Sequence, residues 1–244
     1  MMACIHRERV PSGYSENFDL IDHRYFFHQK GRKGNYTCGL VRDAVADQLL
    51  EEGVNFTDTY WLTSLPDFIT NKAITGFLIE HAILSAIRRD GLAIGKGLGK
   101  GMQVKRLKGP GDLTTGVTGK PVLYRPEICN FPAIDGMIVL IKSKEKKRDK
   151  PKLLMVPIQI TVNLSGHADS HAAFVKDYIK WTKSLAEFDV ELEFVWITPE
   201  EESVREHKAE SKSKCPKHKE RYVPFKRVSE EIWRQYRSAL AVAR

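Results

Sequence analysis

Two nearly continuous apolar runs, Ala133 to Ile141 (AIDGMIVLI) and Lys152 to Val162 (KLLMVPIQITV), constrain this chain more than any other feature. Each has strand length, and neither keeps a simple apolar–polar alternation, so both read as central strands rather than half-solvated ones. The Lys-rich segment between them ends in turn-forming Asp149, Lys150 and Pro151, which predicts a long-looped hairpin. Each run is broken by one polar group inside it, Asp135 in the first and Gln159 in the second.

The flanking pattern is helical. Thr75 to Arg89 predicts a well-buried helix, because Phe77, Leu78, Ala82, Leu84, Ala86 and Ile87 are too many for one narrow stripe. An earlier helix is expected over Cys38 to Glu52, with Thr37 as its N-cap and Gly53 ending it. After the second apolar run, Phe174, Tyr178, Trp181 and Leu185 fall 4, 3 and 4 apart and predict a helix from Asp169 to Glu187. Val190 to Thr198 then alternates as a strand, with Leu192, Phe194 and Trp196 opposite Glu191 and Glu193. A charged stretch, a short strand (Tyr222 to Val228) and a helix (Ser229 to Ala243) follow. The order predicts an α/β sandwich with a mixed central sheet and additional helices at both ends. The expected organisation is an N-terminal extension over 1–36 and one domain over 37–244, with a core at about 70–200 and a strand–helix extension over 201–244.

The formal charge of +8 points to a polyanionic partner. Its excess is clustered: Lys142 to Lys152 holds seven Lys/Arg in eleven residues, and Ser211 to Arg221 holds five more. Such runs suit DNA backbone contact or nuclear import, and equally a solvated loop tip. The cysteines at 4, 38, 129 and 215 form no CxxC pair, so a reducing compartment is the default. No apolar run approaches the roughly 18 residues of a membrane span, and no signal-peptide pattern opens the chain. The expectation is no membrane association.

A carboxylate inside a central strand costs on the order of several kcal/mol unless it is paired, hydrogen-bonded or bound to a cation. Asp135 and Gln159 on adjacent strands would offer oxygen ligands at one level, as Mg²⁺ (or Mn²⁺) binding requires, with Glu80 as a third member. Metal-assisted phosphodiester hydrolysis needs this equipment. The alternative is structural: Asp135 pairing with a buried Lys or Arg, and Gln159 bonding to a loop.

The strings YRPEICNFPAIDGMIV (Tyr124 to Val139) and IQITVNLSGH (Ile158 to His167), with TGFLIEHAIL (Thr75 to Leu84) before them, resemble the nuclease-like domain of Crinkler-type effectors and the related retrotransposon hot spot proteins. The resemblance covers roughly residues 70 to 200. It implies the restriction-endonuclease-like PD-(D/E)xK fold, with an α-β-β-β-α-β core. It also implies that Glu80 is the helix acid, Asp135 the metal-ligating aspartate, and Gln159 and Thr161 the ends of a variant (D/E)xK motif. Glu80, Asp135 and Gln159 would be metal ligands, and Thr161 would orient a neighbouring group. The implied function is a metal-dependent DNA endonuclease without strong sequence specificity, acting as an effector in a host nucleus. The alternative is an inactive nuclease fold that binds DNA, chromatin or a host nuclear protein.

Lys142, Lys144, Lys146, Lys147, Arg148, Lys150 and Lys152, together with His167, are the expected DNA-contacting residues, and the basic runs are expected to form a cationic rim around the oxygen-lined pocket. Because Thr161 replaces the motif's lysine, Lys142, Lys152 or Lys176 is expected to substitute in space. His167 and His171 are four apart but lack the intervening Glu of a zincin, which favours a capping or phosphate-contacting role. Lys96, Lys100, Lys105, Arg106 and Lys108 either reach DNA phosphates or face solvent. The glycine-rich segment Gly91 to Gly101 matches no phosphate-loop spacing and reads as a turn leading into strands.

Overall fold

The computed structural model describes residues 26–27, 35–36, 65, 72–94, 98–113, 119–127, 131, 133–142, 150–163 and 169–242. The chain divides into two compact units, Met1–Asn55 and Phe56–Arg244. In the first, β1 (Phe26–Phe27) pairs antiparallel with β2 (Asn35–Tyr36), with Phe26 opposite Tyr36. The helix expected over Cys38 to Glu52 lies outside the described residues.

The second unit begins its described structure with α1 (Lys72–Asp90), followed by β3 (Gln103–Leu107), β4 (Val122–Pro126), β5 (Gly136–Ile141) and β6 (Lys152–Ile160). Then come α2 (Ser170–Lys176), α3 (Tyr178–Trp181) and β7 (Asp189–Thr198). The chain closes with β8 (Ser203–His207), β9 (His218–Pro224), α4 (Phe225–Val228) and α5 (Glu230–Val242). The seven strands β3 to β9 form one mixed sheet in the order β3-β4-β5-β6-β7-β9-β8. Strands β4, β5 and β6 are successively antiparallel, while β6–β7, β7–β9 and β3–β4 are parallel. Five strands therefore point one way, and only β5 and β8 oppose them.

Both sheet faces are covered, as the apolar runs require. On one face Met137, Val139, Met155, Phe194 and Trp196 pack against Phe174, Tyr178 and Trp181 of α2 and α3. Phe174 stacks on Trp181 with ring centroids 5.3 Å apart and meets Phe194 edge-on at 5.8 Å. The other face, where β5 turns Gly136, Ile138 and Leu140, receives α1: Leu84 lies 3.0 Å from where a Cβ on Gly136 would stand. Helices α4 and α5 join α1 there.

Three elements differ from the sequence expectation. The strand expected over Tyr222 to Val228 ends at Pro224, and Phe225–Val228 form the short helix α4 instead. The helix expected over Asp169 to Glu187 is broken at Asp177 and Thr182 into α2, α3 and a 3-10 turn (Lys183–Leu185). The amide of Asp177 is shared between the carbonyls of Ala173 and Phe174, which tightens the turn. Four bulky side chains can then all lie on a twisted sheet, where a straight helix would lift the outer ones away. Strand β8 and the first half of β9 lie inside the charged stretch, because an edge strand needs no apolar alternation on its solvent side.

Helix α1 ends at Gly91, whose amide bonds to Ile87 O at 2.9 Å. Its φ of +85° is left-handed, and a Cβ there would fall 2.3 Å from the Leu98 carbonyl oxygen. Gly91→Ala should therefore destabilise the unit by about 2 kcal/mol or more in urea denaturation. Gly99→Ala, with open space around its Cβ, should stay within about 0.5 kcal/mol of wild type or improve on it.

Candidate functional site

In open α/β sheets, ligands gather at the carboxyl ends of the parallel strands. Here that end is where β5 begins and β6 ends, and it brings Asp135 and Gln159 together. The Asp135 amide donates to Ile158 O at 2.8 Å, which fixes the entry to β5 beside the exit of β6. Gln159 Nε2 then donates to Asp135 Oδ2 at 2.7 Å, and the Ile160 amide donates to the same oxygen at 2.6 Å. Two residues upstream, Ala133 holds a left-handed φ of 72°, a conformation that costs roughly 1–2 kcal/mol outside glycine. Strain of this kind persists only where surrounding bonds over-determine the backbone.

Although Asp135 keeps some surface in solvent, its carboxylate is turned inward onto the β6 backbone. Burial pushes its pKa up from 3.8 to about 7, against the opposing hydrogen bonds from Ile160 and Gln159. Both donors are neutral, and no Lys or Arg among the described residues pairs with it. Among the described residues, the structural alternative of a buried Asp135–Lys or Asp135–Arg pair is therefore not found.

The other site residues are placed unequally. Thr161 is buried next to Gln159, and its hydroxyl closes a turn by accepting from Asn163 N and donating to Asn163 O, both at 2.9 Å. Glu80 sits on α1, one turn before Leu84, the residue that meets Gly136 of β5. Its helix covers the opposite face of the sheet from Gln159, so the structure does not bring Glu80 together with the Asp135–Gln159 pair as it brings those two to each other. His81, beside it, is buried and bonded to Arg125 at the end of β4. Arg106 is the register partner of Arg125 on β3, so Arg106, Lys108 and Arg125 bring cations to this end of the sheet. A cavity of about 410 Å³ opens beyond the ends of β6 and β7, lined by Asn163, Thr198, Glu200, Tyr236 and Arg237 among others.

For Lys142 and Lys152 the expected cationic rim is corrected by the register. Lys142 and Lys152 lie where β5 ends and β6 begins, opposite in strand direction to Asp135 and Gln159. The six steps from Gly136 to Lys142 span about 20 Å, beyond the reach of any lysine. Both lysines pair with Glu191 on β7, Lys152 at 3.8 Å. Neither can replace the missing motif lysine. Lys150 is exposed and donates to Ala186 O at 3.3 Å, and Lys176 is exposed on α2. Lys144, Lys146, Lys147, Arg148 and His167 lie outside the described residues. The second basic run forms the β8–β9 connection at the same far end.

One cluster was not foreseen. His171 on α2, which the sequence paired with His167, instead meets His207 of β8 and His218 of β9. His171 Nε2 and His218 Nε2 are 2.9 Å apart, and His207 Nε2 is 2.8 Å from Glu220 Oε2. The available signal was the period-two pair His218 and Glu220, which places both on one face of a strand.

Comparison of the chain with protein families, with curated proteins and with solved structures finds no match.

Asp135 has a testable pH signature. A carboxyl whose folded pKa exceeds its unfolded value binds its proton more tightly when folded, so its contribution favours folding at low pH. Stability should fall as pH rises from about 4 to about 7, by up to a few kcal/mol before other groups are counted. Urea denaturation across that range should show this slope in wild type and its loss in Asp135→Asn.

Proposed function

We propose that the Phe56–Arg244 unit is a metal-dependent phosphodiesterase of the restriction-endonuclease-like kind, acting on DNA without strong sequence preference. The observation that carries this reading is the meeting of Asp135 and Gln159, residues from separate strands, at 2.7 Å on the carboxyl side of the sheet. The order α1, edge strand β3, antiparallel β4, β5 and β6, then α2–α3 and parallel β7 supports it, since with β3 as an addition it is compatible with the helix–three-strand–helix–strand core that the resemblance implies.

The residues present suit a hard divalent cation such as Mg²⁺. A carboxylate and an amide carbonyl are oxygen donors, and Mg²⁺ needs few protein ligands when waters and phosphate oxygens complete its shell. Burial also holds the Asp135 carboxyl towards its neutral form, a tendency that a bound cation would reverse. When bound, the cation would polarise the scissile phosphate and lower the pKa of the attacking water. In hydrolysis that water gives up a proton as its oxygen bonds to phosphorus, and the departing ester oxygen takes one up.

The chain's own residues supply position and charge. Asp135 and Gln159 would hold the cation, with the Ile158 and Ile160 backbone fixing their level. Glu80 would assist from α1. Arg106, Lys108 and Arg125, rather than the Lys142 to Lys152 hairpin, are placed to hold the phosphates near that cation. The two basic connections at the far end would grip the backbone elsewhere, by charge and not by base reading.

Supercoiled plasmid incubated with Mg²⁺ or Mn²⁺ should be nicked, EDTA should stop the reaction, and Asp135→Ala should lower its rate at least about 100-fold. The absence of metal-dependent nicking, or equal nicking by the variant, would sink the enzyme reading. Salt-sensitive DNA binding that survives Asp135→Ala without cleavage would instead identify a DNA-binding module.

A further inference from the structure

The imidazoles of His171, His207 and His218 present ligand atoms that all lie within 4.8 Å of one another, on three separate elements. His207 and His218 are direct cross-strand partners on β8 and β9. His171 reaches them from α2, its ring edge-on to Phe194 at 5.1 Å and tilted over His207 at 4.5 Å. Two ligands at about 2.0–2.1 Å from a tetrahedral ion stand about 3.3 Å apart. The 2.9 Å between His171 Nε2 and His218 Nε2 is close to that spacing.

The outer bonds fix which nitrogens face inward. His218 Nδ1 donates to Pro216 O at 2.9 Å, which leaves Nε2 with its lone pair towards His171. His207 gives Nε2 to Glu220 Oε2, which leaves Nδ1 as its donor atom. A carboxylate or carbonyl behind each ligand imidazole is the arrangement that sets tautomer and ring orientation at metal sites. Glu220 is itself over-determined: Trp196 Nε1 donates to its Oε1 at 2.7 Å, and Tyr222 OH at 3.1 Å. Burial opposes its charge, yet these bonds hold its pKa below the ordinary value. Arg205, its register partner on β8, is turned instead over the Tyr222 ring and towards Glu201.

The nearby thiol is not a ligand. Cys215 Sγ lies 3.6 Å from His218 Nδ1, on the ring side away from His171, and burial pushes its pKa up to about 12.

We propose that His171, His207 and His218 bind one Zn²⁺ ion, positioned through Glu220, which fastens α2 to the β8–β9 edge of the sheet. Three neutral imidazoles select a borderline-soft ion over Mg²⁺, so this site is chemically distinct from the oxygen-lined pair of Asp135 and Gln159. His207 and His171 are half-buried, which leaves room for water in the fourth position.

The test uses the full chain carrying Asp135→Ala, so that it is independent of the proposed phosphodiesterase site. After EDTA treatment and removal of the chelator, calorimetric titration should show one equivalent of Zn²⁺ bound, with Tm rising with Zn²⁺ and unchanged by Mg²⁺. Co²⁺ should give the intense visible absorption of a four-coordinate nitrogen site. His171→Ala and His207→Ala together should abolish stoichiometric binding. Glu220→Gln, which keeps the shape of the side chain, should weaken Zn²⁺ by about 10- to 100-fold. The proposal is overturned if the His-intact chain binds no stoichiometric Zn²⁺, or if the double histidine variant, folded by circular dichroism, binds it unchanged.

Discussion

The parallel pairing of β6 with β7 requires the chain to leave the sheet at one end and re-enter it at the other, and the rest of the larger unit depends on that crossing. Strand β6 is the middle of seven and is buried without interruption from Met155 to Thr161. A strand buried on both faces needs a layer on each. The crossover supplies one layer as α2 and α3, and α1 with α4 and α5 supplies the other. Because α2 and α3 carry Phe174, Tyr178 and Trp181 onto Phe194 and Trp196, the crossover is also the heart of one core. Breaking the helix twice lets those rings follow the twist of the sheet.

The same crossing gives the sheet chemically different ends. Five strands finish where Asp135, Gln159 and Thr161 lie, while Lys142, Lys152 and the β8–β9 connection lie at the other end. Buried oxygen groups therefore stand about 20 Å from Lys142 and Lys152. The described cations at the same end of the sheet as the oxygen groups, Arg106, Lys108 and Arg125, contribute little to the charge count. A net charge thus indicates a polyanion as partner but says nothing about where along a strand the polyanion is held.

The histidine cluster depends on the outer edge of the sheet. Strand β8 is short and largely exposed, and its pairing with β9 does little to bury apolar surface. What holds this edge inward is polar: Glu220 accepts from Trp196, Tyr222 and His207, and His218 meets His171. A network of this kind is stable only when every member is satisfied, and a metal ion between the imidazoles would complete it.

From the sequence alone, β5 and β6 were legible as near-continuous apolar runs and α1 as a densely apolar helical stretch, β7 by the alternation of its apolar residues, and α5 as a closing helix. Asp135 and Gln159 were legible for the opposite reason, as polar groups in places where burial is costly. Strand β8 was not legible, since an edge strand carries no such period. Nor was the clustering of His171, His207 and His218, since ligands brought together by a crossover and a hairpin share no local spacing. Tertiary structure alone decided which end of the sheet each charged group occupies: composition and periodicity fix what a residue is and which way it faces, while strand direction and register fix what it meets.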